Sequence, residues 1–310
     1  MPASIVVVGS LNMDFVISVD RLPMPGETIL GRDFRTVPGG KGGNQAFAAA
    51  KLARDGIAVR MIGRVGADSF GAALKANLTG VDVSAVIETA SVATGVACIH
   101  VDKAGQNSIT VAPGANARLS PEDIASQRAA FEGARCVLLQ LEIPLETVAE
   151  ALKEGRRVGA ICILDPAPAR VLSKDILELV DIATPNENEA CILAGVTPER
   201  LSVADATAVG HKIRELGARS AIVKLGEQGC VYCGPDQTIE SAPFAVQAVD
   251  STAAGDTFNA ALAVALAENA KLEDALRFAN AAAAISVTRM GAQTSAPERA
   301  AVHSLLLQRS

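Results

Sequence analysis

The sequence is poor in aromatic residues: its 310 residues include no tryptophan, one tyrosine and eight phenylalanines. Proteins that bind single-stranded nucleic acids stack the bases on aromatic rings, so this composition argues against that class. Basic runs are also missing, because 28 Lys and Arg are scattered among 34 Asp and Glu, giving a formal net charge of -6. A surface that follows phosphates needs clustered cations, so we expect no nucleic-acid partner.

Long apolar runs and a charged leader are lacking as well. No stretch approaches the roughly 18 apolar residues that a membrane helix needs. The N-terminal residues, MPAS, have no charged start and run directly into a predicted strand. We therefore expect no membrane partner and a cytoplasmic protein.

Histidine is scarce too, with three residues beside six cysteines. Cys230 and Cys233 form a C-x-x-C pair within a predicted strand, and few other ligands exist to complete a zinc site. The pair is either functional or part of the strand core, and we favour the core. Cys98, Cys136 and Cys162 lie in apolar runs, where reduced cysteine behaves as a small buried hydrophobe.

Apolar residues make up 49% of the chain, which is enough for one large α/β domain over residues 1–310. Strands alternate with single helices along most of the chain, which predicts a mostly parallel sheet covered on both faces. The main predicted strands are 5–8, 59–63, 137–141, 160–164, 182–184 and 220–225. The main predicted helices are 44–54, 69–78, 145–154, 203–216, 255–268, 272–287 and 297–307.

Two segments contain strands that no helix follows. The first has β-rich runs at 15–19, 28–30 and 34–37, and the second pairs 95–101 with 108–111 across a turn at 102–105. We expect these strands to form a small accessory sheet that projects from the main body.

The segment DSTAAGDTFN at 250–259 precedes and opens a predicted helix. Small residues let backbone amides approach a ligand closely, and the helix start adds positive potential, so this segment predicts an anion site. Asp256 in the first turn is either a cap that complements the helix dipole or a proton acceptor beside a phosphate.

The glycine-rich run at 39–45 opens another helix without matching the P-loop pattern, and no G-x-G-x-x-G follows a strand. P-loop chemistry and a dinucleotide-dependent oxidoreductase are therefore disfavoured. The run is either a helix-entry turn or a site for a hydroxyl-rich ligand. Residues 12–14 and Glu142 follow strands, where parallel sheets bind ligands, although 12–14 also suits a surface turn. The acids of 186–189 either cap a helix or hold magnesium-bound waters.

In combination, these segments resemble the ribokinase-like (PfkB) family of carbohydrate kinases over essentially the whole chain. The resemblance rests on GSLNMD at 9–14, PGGKGGNQA at 38–46, LDPAPAR at 164–170, N-x-x-E at 186–189, DSTAAGDTFNAAL at 250–262 and TRMGAQTS at 288–295. It implies a three-layer α/β/α sandwich with a mostly parallel central sheet and a small β-sheet lid at about 12–38 and 93–112. It also implies a homodimer through the lid, with Gly31, Gly39 and Gly40 as candidate hinges for closure.

Residue roles follow from the resemblance by position. It implies ribose contacts at Asn12, Asp14, Gly40, Lys41, Asn44, Glu142 and Asp256. Asp256 is implied as the catalytic base, with an anion hole made by the amides of Ala253, Ala254 and Gly255. ATP contacts are implied at Asn186, Lys224, Gly226, Gly229, Gly255 and Asn280, with Glu189 in a motif linked to magnesium. A potassium site, mostly of carbonyl oxygens, is implied at Asp250, Thr252, Ser286, Arg289, Gly291 and Ser295.

The activity implied by the resemblance is phosphorylation of D-ribose at its 5-hydroxyl by ATP, with Mg²⁺ and activating K⁺. A related kinase acting on deoxyribose, another sugar or a nucleoside is the alternative. A further alternative is a non-catalytic regulator that binds a sugar or a nucleotide. The pair Asn12 and Asp14 favours a substrate with adjacent hydroxyls, and the scarcity of aromatics disfavours a nucleobase in the acceptor site. Four residues depart from the family pattern: Gly43, Lys224, Met290 and Thr294.

Overall fold

A computed structural model of the protein describes residues 3–308. Its strands are β1 (Ala3–Val8), β2 (Asn12–Ser18), β3 (Asp33–Gly39), β4 (Ile57–Gly66), β5 (Val81–Asp82), β6 (Val86–Thr89), β7 (Gly95–Val101), β8 (Asn107–Ala112), β9 (Ala134–Leu139), β10 (Ile161–Leu164), β11 (Ile182–Ala183), β12 (Ser220–Lys224), β13 (Cys230–Cys233) and β14 (Thr238–Ser241). Its α-helices are α1 (Lys41–Leu52), α2 (Ser69–Asn77), α3 (Pro121–Ser126), α4 (Arg128–Phe131), α5 (Leu145–Arg157), α6 (Lys174–Leu177), α7 (Glu187–Ala194), α8 (Val203–Glu215), α9 (Ala254–Ala267), α10 (Leu272–Ser286) and α11 (Arg299–Leu307).

The main sheet has ten strands in the order β14-β13-β12-β11-β10-β9-β1-β4-β5, with β6 also paired to β4. Neighbours from β12 to β5 and β6 are parallel, whereas β13 and β14 add an antiparallel edge. The central strand β1 alternates between two cores. Ile5 and Val7 face the core that includes α1, α9 and α10, while Val6 and Val8 face the core that includes α5 and α8. This arrangement confirms the predicted α/β/α sandwich.

A second sheet of four strands has the order β3-β2-β7-β8. The pair β2–β7 is parallel, and the two outer pairs are antiparallel. No helix lies between β2 and β3 or between β7 and β8, as the sequence predicts for an accessory sheet. We call this sheet the lid.

Helix starts follow the local sequence. Serine or asparagine begins α3, α7 and α8 with a reciprocal capping box, formed by Ser120 with Asp123, Asn186 with Glu189, and Ser202 with Asp205. The glycine-rich helix α1 starts at Lys41, three residues before its predicted start, because Gly40 with φ 82° turns the chain into the helix. No helix within residues 3–308 has the length and apolar character needed to cross a membrane.

Several sequence predictions were wrong in detail. The strand predicted at 28–30 is absent, because this segment is exposed before β3 and pairs with no other strand. The strand predicted at 137–141 ends at Leu139, and the helix predicted from residue 297 begins at Arg299. The short elements β5, β6, β14, α4 and α6 lack a pattern long enough to predict.

The cysteine predictions had mixed outcomes. Cys136 and Cys162 are buried, but Cys98 is exposed, because β7 belongs to the lid and both faces of that strand carry apolar residues. Cys230 and Cys233 are buried in β13, and burial raises their pKa to about 12 and about 11, respectively. Thiols that stay protonated at neutral pH are poor nucleophiles, so the strand-core interpretation holds.

Candidate active site

A cleft of about 700 Å³ lies at the carboxyl ends of the central parallel strands, where α9 begins. It gathers residues from five separated motifs of the sequence. The residues that line the cleft and that the sequence predicts for the site are Lys41, Asn186, Glu189, Lys224, Gly226, Gly229, Ala253, Ala254, Gly255, Asp256 and Asn280. The anion segment and the predicted nucleotide residues therefore share one cavity.

Asp256 lies in the first turn of α9 and is only 5% exposed. Asn44 Nδ2 and Gln45 Nε2 each donate a hydrogen bond of 3.0 Å to a different oxygen of its carboxylate. Burial raises the pKa of Asp256 to about 6, although the ammonium group of Lys41 acts in the opposite direction. A carboxylate with that pKa is ionised at neutral pH and still accepts a proton readily.

Lys41 is the first residue of α1, and four acids surround it. Burial disfavours its charged form, but Asp256, Asp165, Glu142 and Glu189 raise its pKa above the ordinary value. Lys41 therefore keeps its positive charge between the start of α9 and the lid.

The lid strand β2 brings Asp14 towards Asp256. Burial, together with the negative charges of Glu142 and Asp256, raises the pKa of Asp14 to about 7. Glu142 lies three residues beyond β9, and its Oε2 accepts hydrogen bonds from Ser10 Oγ and from the backbone N–H of Lys41 (3.1 Å). Asn12 Oδ1 accepts a hydrogen bond of 2.7 Å from buried Asn116. Polar groups from β2, α1 and the loop after β9 thus converge beside Asp256.

Two glycines let the lid backbone come this close. A Cβ atom on Gly39 would lie 2.1 Å from Asp14 Oδ2, and one on Gly40 would lie 2.7 Å from the backbone nitrogen of Asn12. Both positions are buried. The close approach, in addition to the positive φ of Gly40, explains why glycine stands here.

The turn before α9 has an unusual backbone. Ala253 adopts a left-handed conformation with φ 58°. The N–H of Ala254 donates to Ser251 O at 3.2 Å, but across the described part of the chain no acceptor meets the N–H groups of Ala253, Gly255 and Asp256. Free amides at a helix start bind anions.

Lys224 ends β12 and lies beside this turn. Its Nζ donates to Asp165 Oδ1 at 3.1 Å, and a Cβ atom on Gly255 would lie 3.2 Å from the same nitrogen. Its backbone pairs with Asn186 in an isolated parallel bridge. Burial and the charge of Asp165 raise the pKa of Glu189, which faces the same space. The departure from the family pattern at 224 therefore places a cation beside the anion segment.

Asn280 on α10 also lines the cleft. Its Nδ2 donates to Ser241 Oγ (3.0 Å), Ser241 O (3.2 Å) and Ala242 O (3.3 Å). Asn280 therefore holds the segment after β14 against the cleft, a structural role that accompanies any contact with a nucleotide.

The predicted potassium residues lie in two loops that meet next to the turn. Asp250 Oδ1 accepts from the N–H and Oγ1 of Thr252, and Oδ2 accepts from the N–H of Gly291 at 2.8 Å. Burial by itself would raise the pKa of Asp250, but these hydrogen bonds outweigh the effect of burial, so the pKa lies below its ordinary value. Ser286 is buried at the end of α10 and Ser295 is buried in the second loop, whereas Arg289 is exposed. Within residues 3–308, no group of three or more His, Cys, Asp or Glu side chains is arranged to hold a metal ion.

The site also contains residues that the sequence reasoning did not assign to it. Ser10, Gln45, Gln140 and Asp165 all bond to predicted site residues or to one another. Asp165 directly follows β10, so the rule that ligands bind at the carboxyl ends of parallel strands was a usable signal. The other three are uncharged and lie inside segments already singled out, and their partners come from distant parts of the chain.

The comparisons with known proteins agree with this geometry. A family model described as "pfkB family carbohydrate kinase" matches residues 2–299. A ribokinase from Haemophilus influenzae is 41% identical over 302 residues, covering 96% of this chain and 97% of that protein. A ribokinase from Bacillus subtilis is 43% identical over 305 residues, covering 98% and 99%, respectively. The solved structure of Arabidopsis thaliana ribokinase complexed with ribose and ATP has a TM-score of 0.91 at 36% identity and covers 99% of each chain.

Proposed function

The chain belongs to the pfkB family of carbohydrate kinases, and we propose on that basis that it transfers the terminal phosphoryl group of ATP to the 5-hydroxyl of D-ribose. Its relatives of 41% and 43% identity, matched over nearly their full length, are ribokinases, and it accordingly catalyses the ATP-dependent phosphorylation of ribose. The observation that carries the atomic proposal is the position of buried Asp256 in the first turn of α9, where the N–H groups of Ala253, Gly255 and Asp256 are free.

The sugar binds between the lid and the start of α1. Carboxylates accept hydrogen bonds from hydroxyl groups, and Asp14 and Glu142 supply two of them near Asp256. Lys41, Asn12 and Asn44 add donors and an amide oxygen, and Gly40 lets the backbone approach. Asn44 Oδ1 is buried without a hydrogen-bond partner, as expected for a group that a ligand hydroxyl satisfies.

Phosphoryl transfer follows from this placement. Asp256 accepts the proton of the 5-hydroxyl while that oxygen forms a bond to the γ-phosphorus of ATP, and the bond to the β-phosphate oxygen breaks to release ADP. The amides of Ala253, Gly255 and, after a small turn of its peptide, Ala254 stabilise the charge on the transferring group. Lys41 and Lys224 add positive charge on either side.

We propose that Asn186, Lys224, Gly226, Gly229, Gly255 and Asn280 contact ATP, because they line one cleft. Magnesium suits the same cleft, since Glu189 offers hard oxygen ligands. One carboxylate is too few to hold the ion alone, as magnesium usually takes its remaining ligands from phosphates and waters. When bound, the ion neutralises phosphate charge.

We propose that K⁺ activates the enzyme from the loops of Asp250 and Gly291, with carbonyl oxygens of the predicted residues as ligands. The loop of Asp250 leads into the turn that supplies the free amides, and the loop of Gly291 is bonded to Asp250. Oxygen donors suit an alkali cation. The ion would act by fixing this turn, at a distance from the substrate. Arg289 takes part only through its carbonyl group, because its cationic side chain repels a metal ion.

We further propose a homodimer in which a second copy covers the apolar face of the lid. Cross-strand pairing puts Val16, Ile99 and Ile109 in one row of this face and Ala97 and Val111 in the next. Ile109 is 53% exposed and Val111 43% exposed in the single chain. We place the enzyme in the cytoplasm, where ATP is available and where cysteines stay reduced, as the six cysteines of this chain are.

The test is ADP release with Mg-ATP and K⁺ across ribose, 2-deoxyribose, fructose, fructose 6-phosphate and adenosine. We expect strong preference for ribose, while higher turnover on another acceptor would reassign the pocket. Asp256→Asn should lower kcat about 10²- to 10⁴-fold, as for loss of a general base, with ribose still bound in calorimetry. Asp205→Asn is the matched control, because Asp205 is an exposed acid in the first turn of another helix, α8. Normal turnover by Asp256→Asn would contradict the role of the base.

A further inference from the structure

One glutamine side chain joins two buried carboxylates of the site. Gln45 Nε2 donates to Asp256 Oδ1 at 3.0 Å and to Asp165 Oδ2 at 3.3 Å. All three side chains are buried, with Gln45 at 0%, Asp165 at 3% and Asp256 at 5% exposure. A single amide nitrogen therefore uses both of its hydrogens on the base and on a second acid.

The orientation of this amide is fixed by a second glutamine. Gln140 Nε2 donates to Gln45 Oε1 at 2.6 Å, and Gln140 is itself fully buried. With its oxygen engaged by a donor, Gln45 has to present its nitrogen to the carboxylates. The reverse orientation would place an oxygen against two negative charges.

The second acid connects this unit to the other half of the cleft. Asp165 Oδ1 accepts the hydrogen bond from Lys224 Nζ at 3.1 Å, and that nitrogen lies beside Gly255. A continuous path therefore runs from Lys224 through Asp165 and Gln45 to Asp256. The path starts in the proposed nucleotide subsite and ends at the proposed base.

We propose that Gln45 is a positioning residue for phosphoryl transfer, which holds the Asp256 carboxylate in place and couples it through Asp165 to Lys224. The proposal rests on the proposed function, in which Asp256 is the base. A neutral amide suits this position because it donates to both acids without adding a charge. When the triphosphate attracts Lys224, the positive charge that balances Asp165 moves away from it. The negative charge of Asp165 then favours proton uptake by Asp256.

The two links act on the base in opposite directions. The hydrogen bond from Gln45 lowers the pKa of Asp256, whereas the charge of Asp165 raises it. Other charged groups face the base from every element around it: Lys41 on α1, Asp14 on β2, Lys224 on β12 and Glu142 after β9. Changing Gln45 leaves the partners of these four groups in place, whereas changing Asp165 also removes the ion-pair partner of Lys224 and one of the acids that raise the pKa of Lys41.

The test compares Gln45→Met, which keeps the side-chain size but removes the hydrogen bonds, with Asp165→Asn. Gln45→Met should lower kcat about 10- to 100-fold, the effect of losing a hydrogen bond to a charged group, while KM for ribose changes about 3-fold or less. The acid limb of its kcat/KM profile should move to higher pH. Asp165→Asn keeps an oxygen acceptor for Gln45, so its kcat should fall less than that of Gln45→Met, and its acid limb should move to lower pH.

Thr147→Val is the control, because it removes a buried hydrogen bond of 2.6 Å to Leu119 O away from the cleft. It should change neither kcat nor the pH profile. Carbon-13 NMR titration of the Asp256 carboxyl group in each variant gives a readout that does not need turnover. It should show the same opposite shifts even if the acceptor sugar is not ribose. Unchanged kcat in Gln45→Met, or shifts of both variants in one direction, would overturn the proposal.

Discussion

Asp250 connects two loops that are 41 residues apart, using both oxygens of one carboxylate. The bonds to Thr252 and to the N–H of Gly291 leave it little capacity to act as a strong metal ligand. Its contribution to a cation site is therefore to hold the carbonyl groups of both loops in position.

At the residue scale, we predict that Asp250→Ala abolishes activation by K⁺. Without this carboxylate, the two loops lose three hydrogen bonds and the carbonyl oxygens separate. The measurement is ADP release against KCl concentration, with choline chloride keeping the ionic strength constant. Asp236→Ala, on an exposed hairpin, should respond to K⁺ as the unaltered protein does. Full activation of Asp250→Ala would place the ion elsewhere.

At the scale of elements, β3 contributes to the site because its last residue has no side chain. Gly39 is the last residue of β3 and pairs with Asn12 on β2, so the missing side chain leaves room for the carboxylate of Asp14. Gly39 was a candidate hinge in the sequence, and the structure gives it a steric role as well.

We predict that Gly39→Ala raises KM for ribose about 10-fold or more, because the new methyl group displaces a carboxylate that bonds the sugar. KM for ATP should stay nearly constant, since the nucleotide lies beyond Asp256. Gly31→Ala is the matched lid control: its methyl group would lie 2.9 Å from Ile17 Cγ2 and 3.4 Å from the Ser18 carbonyl oxygen, and it does not meet Asp14. Equal effects of the two substitutions on KM for ribose would show that general damage to the lid is responsible.

The elements that the sequence predicted well are those with a long regular pattern. Strand β1 and helices α8, α9 and α10 were located to within two residues, because a continuous apolar run or a clear cap defines each one. The two-residue strand β5, which was not predicted, depends on β4 for its pairing, whereas β11 was predicted at 182–184 to within one residue. Local sequence carries little information about such pairing.

The same reasoning applies to the site. The charged residues at strand ends and the glycine-containing loops were predicted as parts of the site, since each can be recognised within a single segment of the sequence. The bridge from Gln45 to Asp165 joins positions 120 residues apart, and the bond between Gln140 and Gln45 spans 95. Only the folded arrangement reveals such contacts, because neutral amides also occur as ordinary surface residues.

At the scale of the whole molecule, the lid face that carries Asp14 continues outward into an apolar surface. Asp14 pairs across to Ala97, which in turn pairs with Val111. A partner that covers this surface would also shield the sugar site from water. In the proposed dimer, assembly and catalysis would share one sheet.

We predict that Ile109→Lys converts the proposed dimer into a monomer, because a buried charge at this face is costly. The mass in solution, measured by light scattering, should halve. Thr110→Lys places the same charge on the opposite face of the same strand and should leave the mass unchanged. A monomeric unaltered protein, or an Ile109→Lys variant of full dimer mass, would contradict the proposed interface.

The left-handed backbone of Ala253 has a consequence for engineering this protein. A residue with a Cβ atom is disfavoured in that conformation by about 1–2 kcal/mol, and glycine is not. The cost falls on folding, so the amides before α9 are already aligned when ATP arrives. A search for heat-resistant variants would select glycine at this position for stability and, with it, a looser anion site. Selection for thermal stability and selection for turnover therefore favour different residues at position 253.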